Sequence, residues 1–420
     1  MIFFLLLLTL VLKLVHSRVV GALIIASYVL LVRLLRYRRA TAIPLKHGIH
    51  SRADFATMTA DQAQDILKDL VELEFPKLMG ISLVFALFRT YGIPEISTLL
   101  TATGELSSPE TTSKRTADTG MLLLEFCLNK PSSDRAMEAI ARMNFLHSRY
   151  IKSGKIRNSD MVFTLAVLAS EPVRWVNMYE WRRLTDVEVC ASGTFWKSMG
   201  DRMGVDFSIL PGAVNGWRDG LEWYADVTAW AEQHEEAQMK PARINNRMVS
   251  GYVDLIFLNI PQRIGLFGKY IVAFVGGERW TKAVMFDPPP IAFRGMAIAL
   301  LSVRRFALRY LFLPRFVRNH YISPKSDANG RYSAREYLSH PWYVQPTFER
   351  RWGLRAWASR LLRRKVPGDD GNKYLPEGYM VKELGPNSVV GKGQEFMDED
   401  LIRIRELGGG SCPFAACRKA

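Results

Sequence analysis

Charged residues are almost absent from the first 35 positions of this 420-residue chain, where only Lys13, Arg18 and Arg33 occur. A helix needs about 20 predominantly apolar residues to cross a bilayer. We therefore predict an N-terminal membrane anchor over residues 1–40, with one tilted span centred on residues 19–35. The alternative is a cleaved signal peptide, for which the segment has neither a clear charged start nor a clear small-residue cleavage site.

Basic residues follow the apolar segment directly, and they include Arg33, Arg36, Arg38 and Arg39. Loops rich in Lys and Arg remain on the cytosolic side of a span. The pattern predicts a single-pass topology with a short lumenal N-terminus and a cytosolic bulk.

Cysteine is also scarce, and the four present (Cys127, Cys190, Cys412 and Cys417) form no CxxC pair. This usage suits a reduced compartment better than a disulfide framework. The chain lacks GxGxxG after a strand, GxxxxGK[ST], HExxH and GxSxG. Nothing therefore indicates a dinucleotide fold, a P-loop, a zinc protease or an α/β-hydrolase.

Strand signals are thin, whereas helix start signals recur. Ser108 with Pro109 and Thr185 with Glu188 are typical N-terminal caps. We predict an all-α fold, with Pro172 ending or kinking the third of the helices that these signals delimit. The predicted helices span residues 109–128, 133–154, 161–170 and 185–203.

Two further segments bear on domain organisation. Residues 255–275 are apolar but interrupted by proline and charged residues, so we predict a buried core helix there instead of a second span. From Pro367 onward glycine and proline recur, which predicts an irregular tail over 366–420. A single domain over 41–365 remains between the anchor and this tail.

The net charge of +15 is concentrated between residues 304 and 365, where fifteen Lys and Arg face three acidic residues. Aromatic residues such as Phe306, Trp352 and Trp357 are interleaved with them. Such a surface attracts nucleic acid or an anionic membrane. Because the chain is already anchored, we predict membrane lipids as the partner and no nucleic acid. The alternative is a solvated basic face.

The seven histidines are scattered singly, and only His147 lies on a strongly periodic apolar helix face, with Ile140, Met143 and Tyr150. A lone histidine in that position is most often a hydrogen-bonded core residue. The functional alternative is a single axial ligand to heme iron.

The preceding helix places Arg115 and Thr119 four residues apart, on one face with Leu122 and Phe126. An arginine and a hydroxyl beside an apolar pocket suit hydrogen bonding to bound oxygen or to a heme propionate. The structural alternative is an ion pair between Arg115 and Asp118.

Several blocks carry a family resemblance. They are LEFP at 73–76, FALFRTYGIP at 85–94, PETTSKRTADT at 109–119, LHSRY at 146–150, YEWRRLTD at 179–186 and GTFWKS at 193–198. They resemble the fungal endoplasmic-reticulum-bound oxygenases of mycophenolic acid biosynthesis, within the wider family of rubber oxygenases (latex-clearing proteins). The likeness extends over nearly the whole chain, including the anchor.

The resemblance implies an all-α, globin-like heme b protein that cleaves isoprenoid double bonds with dioxygen. Arg115 and Thr119 match the distal pair of the rubber oxygenases, and His147 matches their proximal ligand. Asp118 replaces their distal lysine, and their catalytic glutamate has no clear match.

We therefore expect an oxygenase of the endoplasmic reticulum membrane with heme b as cofactor and O2 as co-substrate. Its expected substrate is a lipophilic, prenylated, meroterpenoid-type intermediate in which a carbon–carbon double bond is cleaved. Two alternatives remain, a non-enzymatic helical membrane scaffold and an oxygenase or hydroxylase of the same fold with a different centre.

The predicted topology has a direct test. Protease added to intact microsomes should digest most of the chain, because the residues after Arg33 are expected to be cytosolic. Protection of the whole chain until detergent is added would show the opposite orientation.

Overall fold

The computed structural model describes residues 18–105, 108–257 and 262–415. Within these ranges there are 15 helices, no β-strand and two isolated β-bridges, and the predicted all-α class is confirmed. The helices are α1 Arg18–Lys46, α2 Ala60–Asp69, α3 Pro76–Thr90, α4 Pro94–Ala102, α5 Pro109–Leu128, α6 Asp134–Lys152, α7 Asn158–Tyr179, α8 Asp186–Arg202, α9 Gly220–Gln238, α10 Arg243–Ile256, α11 Gln262–Ala283, α12 Ile291–Tyr310, α13 Phe348–Trp352, α14 Leu354–Leu361 and α15 Gln394–Glu406.

Helix α1 contains the one segment of the described chain, Val20–Lys46, that is long and apolar enough to cross a membrane by itself. Its first part is exposed, whereas Val32 and Arg36 are buried against the rest of the protein. The Arg36 guanidinium lies 4.9 Å from the Trp181 ring centroid. A single helix therefore connects the apolar segment to the folded core. The Leu-rich run at residues 2–12 lies outside the described residues.

The predicted starts of α5, α6 and α8 agree with the structure, where Ser108, Ser133 and Thr185 accept hydrogen bonds from the first turns. The predicted break at Pro172 is wrong, since α7 continues through it to Tyr179. The loss of one backbone hydrogen bond at proline is outweighed there by tertiary packing along α7.

The core forms where α7 packs along α3, and where α8 packs on both α2 and α9. A Cβ at Gly193 would overlap the carbonyl oxygen of Gly220. The backbones of α8 and α9 can approach this closely only because both positions lack a side chain. Beside this core, α5 pairs with α6, and α10 packs on both α4 and α5.

The apolar segment 255–275 is divided between the end of α10 and the first part of α11. Leu266, Phe267 and Ile271 on α11 are about half exposed. The prediction of a buried core helix is therefore wrong for this part, because side chains on the first half of α11 point away from the core.

The segment 366–420, predicted to be irregular, contains the 13-residue helix α15, which packs along α6. The buried Arg142 of α6 holds the chain that precedes α15. Its guanidinium donates to the carbonyl oxygens of Leu384 at 2.8 Å, Lys392 at 2.9 Å and Val389 at 3.1 Å. This part of the chain is thus integral to the fold. The domain boundaries remain a prediction.

We predict that Arg142→Met costs roughly 2–4 kcal/mol of unfolding free energy, because three carbonyls lose the donors of one buried guanidinium. Arg405→Met is the matched control, since Arg405 pairs with Asp134 on the surface and should cost under about 0.5 kcal/mol. Urea denaturation of the detergent-solubilised protein measures both. Equal costs would contradict the role given to Arg142.

Candidate active site

Helix α5 carries Arg115 and Thr119 one turn apart. It begins after the N-cap Ser108 and continues without interruption through both positions. Both side chains are half-buried, and Leu122 and Phe126 on the same stripe are fully buried. The stripe therefore faces the interior, as its spacing predicts.

Helix α6 presents His147 towards α5. Its Nδ1 atom is buried and has no hydrogen-bond partner among the described residues. Burial, together with the positive charge of Arg115, lowers the pKa of His147 to about 4. The imidazole is consequently neutral at cellular pH, which is the form that binds a metal ion. Because Arg115 acts electrostatically on His147, the two predicted site residues belong to one region of the fold.

Arg115 forms no ion pair with Asp118, so the structural alternative is wrong. The Asp118 carboxylate accepts instead from Lys114 Nζ at 2.7 Å and from the Tyr343 hydroxyl. Arg115 makes no hydrogen bond or ion pair with any residue in the described ranges. The Arg115 guanidinium is therefore available to a ligand.

The Thr119 hydroxyl is likewise unengaged within the described part of the chain. Threonines inside helices commonly donate to the carbonyl four residues earlier, as Thr116 does to Thr112 at 2.7 Å. Thr119 makes no such bond, so its hydroxyl remains available to a ligand beside Arg115.

Two tyrosines that sequence reasoning did not single out complete this region. Tyr91, at the end of α3, is stacked on Tyr252 of α10 with ring centroids 5.3 Å apart. Burial, followed by the proximity of Tyr252, raises the pKa of Tyr91, while Arg115 acts in the opposite direction. Tyr91 lies within FALFRTYGIP at 85–94, one of the blocks that carry the family resemblance, and this was the one sequence feature that could have pointed to it.

The unpaired side chains lie on a helix that is otherwise firmly held. The Ser113 hydroxyl meets His340 Nδ1 at 2.8 Å and accepts from Trp342 Nε1 at 2.9 Å. Lys114 Nζ also donates to the carbonyl oxygen of Gly385 at 2.9 Å. These contacts come from more than 220 positions away in the chain, and they fix the first turns of α5.

An open cleft of about 470 Å³ lies between α4 and the end of α6. Leu99 and Ala102 of α4 line one side, and Tyr150 and Lys155 line the other. Tyr150 is three residues beyond His147 and shares its helix face. The cleft therefore opens beside the helix face that carries His147.

A second histidine with an unpartnered nitrogen lies on α9. The His234 ring stacks on Trp230 with centroids 4.7 Å apart, and its buried Nε2 has no partner among the described residues. Burial lowers the pKa of His234. The charged neighbours that act on His234 are Asp160, Arg157 and Glu95, whereas Arg115 acts on His147.

The donor set suits a heme better than a metal ion held by protein alone. No group of three or more His, Cys, Asp or Glu side chains in the described ranges is arranged to hold a metal. Heme iron needs as few as one protein ligand, and His147 supplies a neutral imidazole with an unsatisfied buried nitrogen. The residues present therefore fit the cofactor that the sequence resemblance implies.

The chain is similar to proteins named ER-bound oxygenase. It is 40% identical over 392 residues to ER-bound oxygenase mpaB' of Penicillium brevicompactum, covering 92% of each chain. It is 39% identical over 84% of each chain to ER-bound oxygenase mpaB of the same species. A third relative, ER-bound oxygenase mpaB of Penicillium roqueforti (strain FM164), is 42% identical over 64% of this chain and 90% of its own. No family model matches the chain.

The contrast between neighbouring cations on α5 gives a stability prediction. Lys114→Met should destabilise the ligand-free protein by roughly 3 kcal/mol, because it leaves the buried Asp118 carboxylate without its ion-pair partner. Arg115→Met should leave stability unchanged or raise it, because Arg115 has no described partner to lose. Thermal unfolding of both variants measures the difference. Equal destabilisation would show that Arg115 has a structural role.

Proposed function

The chain belongs to the family of fungal oxygenases bound to the endoplasmic reticulum, and we propose that it cleaves a carbon–carbon double bond in a prenylated, lipophilic substrate. As a member of this family it is an oxidoreductase. Its apolar N-terminal helix accords with attachment to the membrane. Because the family consists of oxygenases, the alternative of a non-enzymatic scaffold is ruled out.

The observation that carries the proposal is the pairing of two unsatisfied side chains. A neutral His147 lies within electrostatic reach of an Arg115 that has no counter-ion among the described residues. The buried ring nitrogen costs stability in the absence of a ligand, and the unpaired guanidinium is available to one. A heme held by His147 would use its neutral imidazole, and the heme would supply the anionic propionates or the bound dioxygen that suit Arg115.

Each residue then has a separate task. His147 would hold the iron, and the heme would supply the activation of dioxygen. Arg115 and Thr119 carry unengaged donors on one helix face, and they would donate hydrogen bonds to dioxygen or to a heme propionate. Asp118 is already engaged with Lys114 and Tyr343, so we assign it to holding α5 in place.

The proposed reaction is balanced by dioxygen alone. An alkene and O2 give two carbonyl products, in which each former alkene carbon receives one oxygen atom. The carbon–carbon double bond and the oxygen–oxygen bond break, two carbon–oxygen double bonds form, and no separate reductant is consumed. The chemistry therefore requires a pocket for the prenyl chain next to the oxygen-binding side chains.

Membrane lipids are the proposed partner of the basic stretch 304–365. Helices α13 and α14 expose Phe348, Trp352, Leu354 and Trp357 between arginines. Arginine with tryptophan is a combination favoured at the lipid headgroup level. The proposal is that this surface lies on the anionic leaflet while the substrate reaches the enzyme from the bilayer.

Substitution of His147 tests the cofactor assignment. We predict that His147→Ala abolishes heme retention and activity while far-UV circular dichroism still shows a helical protein. Arg115→Ala should retain heme and lose turnover, because its proposed contact is with dioxygen or a propionate and not with iron. Absorbance of purified protein in the Soret region and product formation from prenylated substrates measure the two effects.

His234→Ala is the matched control for loss of a buried histidine. It should keep its heme, since the His234 ring is already engaged by stacking on Trp230. A His147→Ala protein with an unchanged Soret spectrum would refute the ligand assignment. If only His234→Ala lost its heme, His234 and not His147 would be the iron ligand.

A further inference from the structure

The first part of α12, residues 291–303, is apolar and exposed on more than one side. Arg294 is the only charged residue in this stretch. Ile298 is 56% exposed and Leu300 is 63% exposed, although their positions lie on opposite sides of the helix. A helix that is apolar all round is normally buried in a core or in a membrane.

Exposure of this extent differs from the scattered apolar residues of a soluble surface. Ile291 is 88% exposed and Val303 is 67% exposed, so the apolar surface runs along the whole stretch. Contiguous apolar surfaces of this kind mark sites that are covered by a membrane or by another molecule. The side of the helix at Phe293 is buried, where it meets Phe267 and Tyr270 of α11.

The helix that carries the exposed stretch packs against the candidate membrane helix. Helices α1 and α12 pack against each other, and the Tyr28 hydroxyl of α1 donates to the carbonyl oxygen of Leu311 at 2.9 Å. Tyr28 lies in the exposed, apolar part of the candidate span, among Leu23, Ile24 and Leu30. The end of α12 is thus fixed beside the segment that enters the bilayer.

Charge begins where the apolar stretch ends. Arg304 donates to the Glu180 carboxylate at 2.7 Å and to the carbonyl oxygen of Tyr179 at 3.2 Å, which ties this point of α12 to the folded core. Arg305 and Arg309 follow within two turns. A basic border next to an apolar helical segment is the usual arrangement at the membrane–water interface.

We infer that residues 291–303 of α12 lie immersed in the lipid bilayer beside α1, so that the protein meets the membrane through two packed helices. Thirteen helical residues measure about 20 Å, which is less than the ~30 Å hydrocarbon thickness. The segment therefore enters one leaflet without spanning the bilayer, and the long side chain of Arg294 can reach the headgroups. This inference is independent of the proposed heme chemistry.

Fluorescence quenching in proteoliposomes tests the inference on the full-length protein. Single cysteines are introduced as Ile298→Cys and Leu300→Cys, on opposite sides of α12. The matched control is Ile402→Cys on α15, where the native side chain is 59% exposed. Each protein is labelled with an environment-sensitive fluorophore, and the signal of the identically treated wild type, which has four native cysteines, is subtracted.

Nitroxide-labelled lipids should quench the probes at 298 and 300, and aqueous iodide should leave them bright. The probe at 402 should show the reverse. Iodide quenching at 298 and 300 equal to that at 402 would overturn the inference, because the stretch would then face water. Protection from both quenchers would also overturn it, since a second copy or another protein would cover the face. Lipid quenching at only one of the two positions would also overturn the inference, because only one side of α12 would then contact lipid.

Discussion

An unpaired positive charge near a neutral, partly buried imidazole is the constraint on which the candidate site depends. Leaving a ring nitrogen buried without a hydrogen bond is costly, and His147 carries this cost at Nδ1. Arg115 has no counter-ion among the described residues, and its positive charge acts on the His147 ring. Other polar groups of the same two helices are paired and hold the fold around the site: Asp118 with Lys114 and Tyr343, and Arg142 with three carbonyl oxygens.

A second set of ion pairs joins the membrane helix to this core. Arg39 of α1 pairs with Glu74 at 3.0 Å, and Glu74 is shared with Arg182, which forms a bidentate pair with Glu188 at 2.7 Å. The bridge is largely buried, so water and salt screen it less than a surface pair. These ion pairs therefore fix the orientation of the folded core relative to α1.

Local signals were sufficient for much of the fold. The caps at Ser108, Ser133 and Thr185 depend on side chains within three residues of the helix start, so the sequence locates those starts directly. Pro172 misled because its local cost is outweighed by packing against α3, which is distant in sequence. The tail was predicted to be irregular for a related reason. Its glycines and prolines are visible in the sequence, whereas the guanidinium of Arg142 that orders it comes from more than 240 positions earlier.

The same reasoning separates what could be predicted about the site from what could not. Helical spacing placed Arg115 and Thr119 on one face, and the apolar stripe placed His147 inside. Spacing could not decide whether Asp118 would pair with Arg115 or with Lys114, since both separations are compatible with a helix. In the structure Asp118 pairs with Lys114 and also accepts from Tyr343, which is 225 positions away. The contribution of Tyr91 and Tyr252 likewise requires α3 and α10 to be brought together.

The engagement of Asp118 bears on the absence of a clear match for the catalytic glutamate. Where the rubber oxygenases have a lysine, this chain has a carboxylate, and its basic partner Lys114 lies one turn earlier on α5. Lys114 therefore has a structural role, and Arg115 is the cation on this turn of α5 that has no partner among the described residues. Cleavage of an alkene by O2 into two carbonyl compounds takes up and releases no net proton. The proposed reaction consequently demands donors that orient dioxygen, the role proposed for Arg115 and Thr119, more than it demands a permanent base.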